Sequence, residues 1–263
     1  MNSDPPKDPP ADPRADAPAD RTGVSARRPA APVALITGAT GPLGRVVTAA
    51  FVSDGWRLGL VGTDEGRLRL MADELALPDD AWVPAIADLA DRDAAQRAAT
   101  EVVARFGAID ACLHLVGGWT GGTPVTALHA DEISRMLDQH VWTTFHVVQA
   151  VVPGMVARGW GRVLAVSSPF ASEPTATSGG YALAKASQEV LLRMLAREVA
   201  GTGVTVNLVI VKAIDATHQR ESAPTSKTAG WTTPEEIAET FRYCCSDGAA
   251  AVNGARIPLF GRG

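Results

Sequence analysis

The stretch VALITGATGPLGRVVTAAFV, Val33 to Val52, decides the fold. Val33 to Ile36 is a short apolar run of the kind that forms a buried strand. It leads into TGATGPLG, Thr37 to Gly44, and then into helical apolar spacing from Leu43 to Val52. Strand, glycine turn and helix in that order is the context in which a dinucleotide pyrophosphate is held. Glycines let the backbone come close to the phosphates, and the helix N-terminus offers free N–H groups and the positive end of its dipole. Gly38, Thr40, Gly41, Leu43 and Gly44 are the cofactor-binding candidates of this turn.

The pattern repeats outward from there. Arg57 to Val61 reads as a second strand, and Asp64 as the N-cap of a helix from Glu65 to Leu75. A third strand, Trp82 to Ile86, runs to Asp88–Leu89, and an amphipathic helix covers Asp91 to Phe106. Asp110 to Val116 is a fourth strand and Glu132 to Met155 a long helix. Gly203 to Val209, the helix Pro234 to Cys245 and the strand Arg256 to Leu259 complete the chain. Strands alternating with helices indicate an α/β domain with a doubly wound parallel sheet, the Rossmann fold, over residues 32–263. Residues 1–31, rich in Pro, Ala and Asp, read as a disordered tail.

Composition bounds the function. The chain has 263 residues, 46% of them hydrophobic, enough for one large core. Its 24 basic and 29 acidic residues give a net charge of −5, with no long basic run, which argues against a nucleic-acid partner. Three cysteines without metal-ligand spacing read as reduced thiols of a cytoplasmic protein with no structural metal. No apolar run approaches the roughly 20 residues that span a membrane.

A second informative stretch is GRVLAVSSPFASEPTATSGGYALAK, Gly161 to Lys185. Val163 to Val166 reads as a buried strand ending in Ser167–Ser168. A polar loop follows, and Tyr181 to Leu195 has helical spacing. Tyr181 and Lys185, four apart, share a helix face. An ammonium beside the phenol is expected to lower its pKa from about 10. A serine hydroxyl brought to this pair would complete a hydrogen-bonding cradle for a carbonyl oxygen.

These residues resemble the short-chain dehydrogenase/reductase family. YALAK matches its Tyr-x-x-x-Lys motif and Ser168 its serine, thirteen residues earlier. The resemblance implies catalysis by Ser168, Tyr181 and Lys185, with Lys185 also binding the nicotinamide ribose. The glycine spacing, TGxxGxxG, is that of the family's extended members, and Pro42 stands where compact members have glycine. The family's cofactor selector at the end of the second strand falls on Gly62 and Thr63. Neither is an acid that binds ribose hydroxyls nor a base that binds a 2′-phosphate. NAD(P)H is implied, with NADPH slightly favoured for want of a repelling carboxylate; Arg45 or Arg67 are the candidate cations. Asp88 and Leu89 match the adenine-facing position, with a helix N-cap as the alternative for Asp88, and Gly117 the end of the fourth strand. Val211 and Lys212 replace the family's Pro-Gly, leaving backbone groups of Val211 and Ile214 to meet the nicotinamide amide. His140 falls at the family's proton-relay Asn, as a relay or a filler. His114 replaces an Asn that braces the sheet.

HLVGGWTGG, His114 to Gly122, is similar to the Gly-Gly-Trp-x-Gly-Gly turn of dihydropteridine reductases, a branch of the same family. Gln139, Trp142, Thr143, Asp215, Arg220, Trp231, Thr232 and Glu239–Thr240–Phe241 carry further matches. Trp119 and Phe170 are, with Ser168, the candidate substrate contacts. Residues 213–230 read as a mobile flap. The leading expectation is an oxidoreductase that reduces a ketone or 3-oxoacyl carbonyl of a small-molecule substrate. Quinonoid dihydropteridine reduction is the competitor, and a non-catalytic nucleotide sensor the alternative from another class. The family's assembly implies a homo-oligomer, dimer or tetramer.

Overall fold

The structure is a computed structural model and describes residues 27–260. The expected tail lies outside the described residues up to position 26. Contacts to the domain begin before residue 32: the Arg28 amide donates to Asp247 Oδ1 at 2.8 Å, and Arg57 Nη2 donates to the Ala31 carbonyl at 3.0 Å.

Seven strands form one parallel sheet: β1 (Val33–Thr37), β2 (Arg57–Gly62), β3 (Trp82–Ile86), β4 (Ala111–His114), β5 (Gly161–Ser167), β6 (Val204–Val211) and β7 (Arg256–Leu259). Their order is β3-β2-β1-β4-β5-β6-β7, with β1 and β4 side by side where the order reverses. Every pairing is parallel, so all carboxyl ends lie along one edge. Ligands of such sheets bind at that edge, in the crevice where the order reverses.

Side chains alternate across the sheet and feed two cores. Val33 and Leu35 pack on one side, with α3 (Arg92–Phe106), α5 (Thr143–Arg158) and α6 (Gly179–Glu198). Ala34 and Ile36 pack on the other, with α1 (Pro42–Ser53), α2 (Glu65–Glu74) and α8 (Pro234–Cys244). Capping side chains start three of these helices: Asp64 Oδ1 accepts from the Arg67 amide, Asp91 Oδ1 from the Ala94 amide, and Thr233 forms a capping box with Glu236.

The departures from the expected elements have local causes. The fourth strand stops at His114, because its pairing with β1 ends at Thr37 opposite His114. The long helix is divided: α4 (Ala130–Leu137) and α5 flank a π-helical turn, Asp138–Trp142, that carries His140. Such a turn inserts an extra residue into the i→i−4 ladder and often marks a functional position. The supposed flap is tied down. Ile214 pairs with Thr232, and Asp215, 1% exposed, accepts from the amides of Gln219 and Arg220 at 2.8 Å each, starting α7 (Gln219–Ser222). Arg220 then clasps Glu236 of α8 with two nitrogens at 2.9 and 2.8 Å.

Gly59 in β2 exists for close packing: a Cβ there would lie 2.3 Å from Val102 Cγ2 of α3. Gly59→Ala is expected to lower the unfolding free energy by about 1–3 kcal/mol, the usual size of core overpacking. Gly248→Ala, where a Cβ meets nothing nearer than 3.6 Å, should stay within about 0.5 kcal/mol. Urea titrations of the two variants against wild type measure both.

Candidate active site

At the carboxyl edge of the sheet a cavity of about 670 Å³ opens between the β1–α1 turn, the β4 turn, the start of α6 and the chain after β6. That volume suits a cofactor together with a small substrate.

The β1–α1 turn forms one wall through Gly38, Gly41, Leu43 and Gly44. Gly38 adopts φ +65°, and a Cβ on it would press against the Leu115 backbone at 3.1 Å. A Cβ on Gly44 would lie 2.4 Å from the carbonyl oxygens of Gly38 and Ala39. Pro42 sits in the first turn of α1, where its missing N–H costs no hydrogen bond, so it preserves the turn. The bare backbone and free amides at this helix start suit a pyrophosphate.

Tyr181 and Lys185 line the same cavity. Burial pushes the Tyr181 phenol above its ordinary value of 10, and the Ser168 hydroxyl opposes that shift. The expected lowering by Lys185 is not found, for a geometric reason. Lys185 Nζ donates to the Val166 carbonyl and to Gln188 Oε1, both at 2.9 Å. Burial depresses its pKa to about 7, with Glu189 opposing. Gln188 in turn donates to Thr144 Oγ1 at 2.7 Å, and Thr144 donates to the His140 carbonyl at 2.6 Å. This chain of bonds ties the ammonium of α6 to the π turn.

His140 also lines the cavity, with its ring edge-on to Tyr181 at 5.5 Å between centroids. Its Nε2 lies 2.9 Å from the Gly118 carbonyl. A carbonyl only accepts, so Nε2 carries the proton and Nδ1 is a bare acceptor. Among the described residues that buried Nδ1 has no partner. Burial, helped by the nearby Lys185 charge, lowers the His140 pKa to about 3, and the imidazole is neutral at pH 7.

His114 supplies the brace that its replacement of Asn was expected to remove. Nδ1 lies 2.9 Å from Thr37 Oγ1 of β1, and Nε2 lies 3.4 Å from Thr143 Oγ1 of α5. Thr37 Oγ1 also accepts from the Leu115 amide at 3.1 Å. The same causes, burial first and then Lys185, lower the His114 pKa to about 3.

The remaining candidates divide. Gly117, Trp119, Val211 and Ile214 line the cavity, and Trp119 is 67% exposed at its mouth. Ser168 lies just behind the wall, 3% exposed, where its hydroxyl accepts weakly from the Phe170 amide at 3.4 Å. Phe170 packs edge-on against the Tyr181 ring at 6.4 Å. Thr40, Gly62, Thr63, Asp88 and Leu89 are outside the cavity wall. The Leu89 side chain is in the core, and Asp88 Oδ1 accepts from the Ala90 amide, leaving the N-cap of α3 to Asp91. Arg45 is paired with Glu74. Asp215 and Arg220 are struts, and Trp142 stacks on His146. Sequence reading passed over Ser167, Lys227 and the side chain of Lys212, all in the wall. The signal for Lys212 was its place where glycine was expected.

Comparison with known proteins agrees with this geometry. The short chain dehydrogenase family matches residues 32–227. The (2S)-[(R)-hydroxy(phenyl)methyl]succinyl-CoA dehydrogenase subunit BbsC of Thauera aromatica is 32% identical over 236 residues, covering 87% of this chain and 93% of that protein. Acetoacetyl-CoA reductase of Cupriavidus necator is 27% identical over 239 residues, covering 87% and 96%. The crystal structure of levodione reductase shares the fold, with a TM-score of 0.79 at 24% identity over 88% of this chain and 96% of that one. The chain belongs to the short-chain dehydrogenase/reductase family of oxidoreductases.

Proposed function

We propose that the chain reduces a carbonyl of ketone or 3-oxoacyl type with NAD(P)H, Tyr181 donating the proton. The observation that carries this reading is that Tyr181, Lys185 and the Gly38–Gly44 turn line one cavity. The reduced nicotinamide, when bound, supplies the hydride; the chain's residues bind, orient and move the proton.

A phenol held above its ordinary pKa by burial is fully protonated at neutral pH, so the proton it donates is in place. The carbonyl carbon receives the hydride and the carbonyl oxygen the phenol proton, leaving an alcohol and a Tyr181 phenolate that solvent reprotonates. Negative charge thus develops on a buried oxygen in the cavity that Lys185 also lines, where an ammonium attracts it as the proton leaves. Ser168 orients the carbonyl oxygen from behind the wall. His140, neutral at pH 7, serves as a fixed acceptor through Nδ1 rather than as a proton carrier. With neither a carboxylate nor a base at Gly62 and Thr63, the reading favours NADPH over NADH. The relatives named for acyl-CoA substrates support a 3-oxoacyl group. Quinonoid dihydropterin reduction is the second reading, favoured by the exposed Trp119 ring at the mouth, a flat surface for a planar heterocycle.

Tyr181→Phe is expected to fold, to bind nucleotide within about twofold of wild type, and to lose roughly 10²–10⁴ in kcat, the range of general-acid catalysis. Steady-state assay with acetoacetyl-CoA and a quinonoid dihydropterin side by side measures this and separates the substrate classes. Turnover near the wild-type rate would remove Tyr181 from the mechanism.

A pH signature follows from Lys185. Its pKa is 10.5 in the unfolded chain and about 7 in the folded, ligand-free protein. Between those values the unfolded state binds more protons, so stability rises with pH by at most roughly 1.4 kcal/mol per unit. Lys185→Met should abolish that rise. Urea midpoints of both proteins from pH 7 to 10 give the answer, and parallel curves would show that Lys185 is not depressed.

A further inference from the structure

Among the described residues the cavity is lined by three lysines, two histidines and no aspartate or glutamate, in a protein of net charge −5. Lys185 belongs to the machinery already described. Lys212 and Lys227 do not, and among the described residues neither forms an ion pair.

Lys212 follows directly on β6. Its ammonium lies 5.4 Å from the centre of the Phe260 ring, a cation–π position. Gly230 clears the space beside it, since a Cβ there would come within 2.9 Å of Nζ and 3.0 Å of Cδ. Lys227 precedes the short helical turn Thr228–Gly230, and Trp231 continues the same wall. Phe260, Gly230 and the neighbouring chain thus set where this charge sits.

Position on the sheet decides what the charge serves. Neighbouring strands are about 4.8 Å apart. In the order β2-β1-β4-β5-β6 the end of β6 is four spacings, roughly 19 Å, from the end of β2, where a 2′-phosphate would be selected. It is three spacings, roughly 14 Å, from β1, whose glycine turn suits the pyrophosphate. The strand end that carries Lys212 is therefore set well away from both phosphate positions, and Lys227 lines the same cavity. Cations in a cleft without counter-ions raise the local concentration of anions.

We propose that Lys212 and Lys227 form an anion-binding wall that takes the carboxylate or phosphate groups of an acidic carbonyl substrate. The proposal rests on reading the cavity as a reductase site and names the substrate class for it.

Binding, measured without turnover, tests it. The full chain, saturated with oxidised NADP or, if only that binds, NAD, is titrated calorimetrically with acetoacetate, acetoacetyl-CoA and the neutral ethyl acetoacetate. At least one anion should bind roughly tenfold or more tightly than the ester, the worth of a charge-assisted hydrogen bond. Acetoacetate preference points to a carboxylate beside the ketone, and acetoacetyl-CoA preference to phosphates on a carrier arm. In Lys212→Met, Lys227→Met and the double variant that preference should fall by a similar factor, with ester and nucleotide affinities within about twofold. Circular dichroism verifies folding, and Lys212→Arg should retain the preference. Four outcomes overturn the proposal: no anion preference in wild type, a preference unchanged in the variants, equal loss for the ester, or equal loss for the nucleotide. In a separate assay with NADPH and NADH, failure to reduce any of the three compounds refutes the ketone or 3-oxoacyl reading instead, and leaves the binding result to stand alone. If neither nucleotide binds, that reading also fails, and the titrations are run on the free protein.

Discussion

The site depends on how β1 and β4 are held where the strand order reverses. The two strands are neighbours in the sheet, yet their chains leave toward opposite faces, which opens the crevice. His114 closes that point from beneath. With Nδ1 toward Thr37 and Nε2 toward Thr143, it links both strands to the start of α5. Thr143 spends its own proton on the Gln139 carbonyl at 2.8 Å, so it receives from Nε2–H, and Nδ1 accepts from Thr37. The result is a satisfied, neutral histidine. Protonation would set an Nδ1–H against the Thr37 hydroxyl proton, which would have to turn away, and this reinforces the desolvation that keeps the ring neutral.

From this brace the crevice acquires its two sides. The Leu115 amide, fixed by Thr37, sets the backbone against which Gly38 packs, and only glycine tolerates that approach. On the other side the β4 turn runs through Gly117 and Gly118 beneath His140 and Gln139. Cβ atoms at those glycines would meet the two side chains at 3.0 and 2.8 Å. The π turn thus fits the glycine turn closely, and the Thr144–Gln188–Lys185 bonds carry that register across to α6. Gln188 holds the lysine with a neutral acceptor. A carboxylate in that place would raise the lysine pKa; the amide leaves it near 7.

Much of this was legible in the sequence and some could not be. The inner strands were identifiable because a fully buried parallel strand is an uninterrupted apolar run, as in Leu35–Ile36 or Val163–Leu164. The β1–α1 turn and the Tyr181 to Lys185 spacing are local patterns, and both reached the cavity wall. The error in the Tyr181 pKa arose because four-residue spacing fixes where two side chains start, not what else they bind. Lys185 has partners in β5 and within its own helix that no spacing reveals. The contacts of residues 213–230 were beyond the sequence for the same reason. Polarity without period suggested mobility, whereas Asp215 and Arg220 are polar because they hold the segment through bonds to residues up to 16 positions away. His114 looked like the loss of a brace because Asn and His were compared as residue types. In space the imidazole reaches both partners itself.

The electrostatics of the crevice then have one consistent logic. Lys185 lies close enough to both histidines to lower their affinity for protons, and burial does more in the same direction. Two groups that would otherwise add positive charge near pH 6 stay neutral, so of these three side chains only Lys185 carries charge. That ammonium is itself half-titrated near neutrality, because burial strips it of water, and the carboxylate that opposes this, Glu189, is already engaged by Ser167 at 2.7 Å and Arg256 at 2.7 Å. A buried cation short of counter-charge is unfavourable in the empty protein and favourable once an anion or a developing oxyanion arrives.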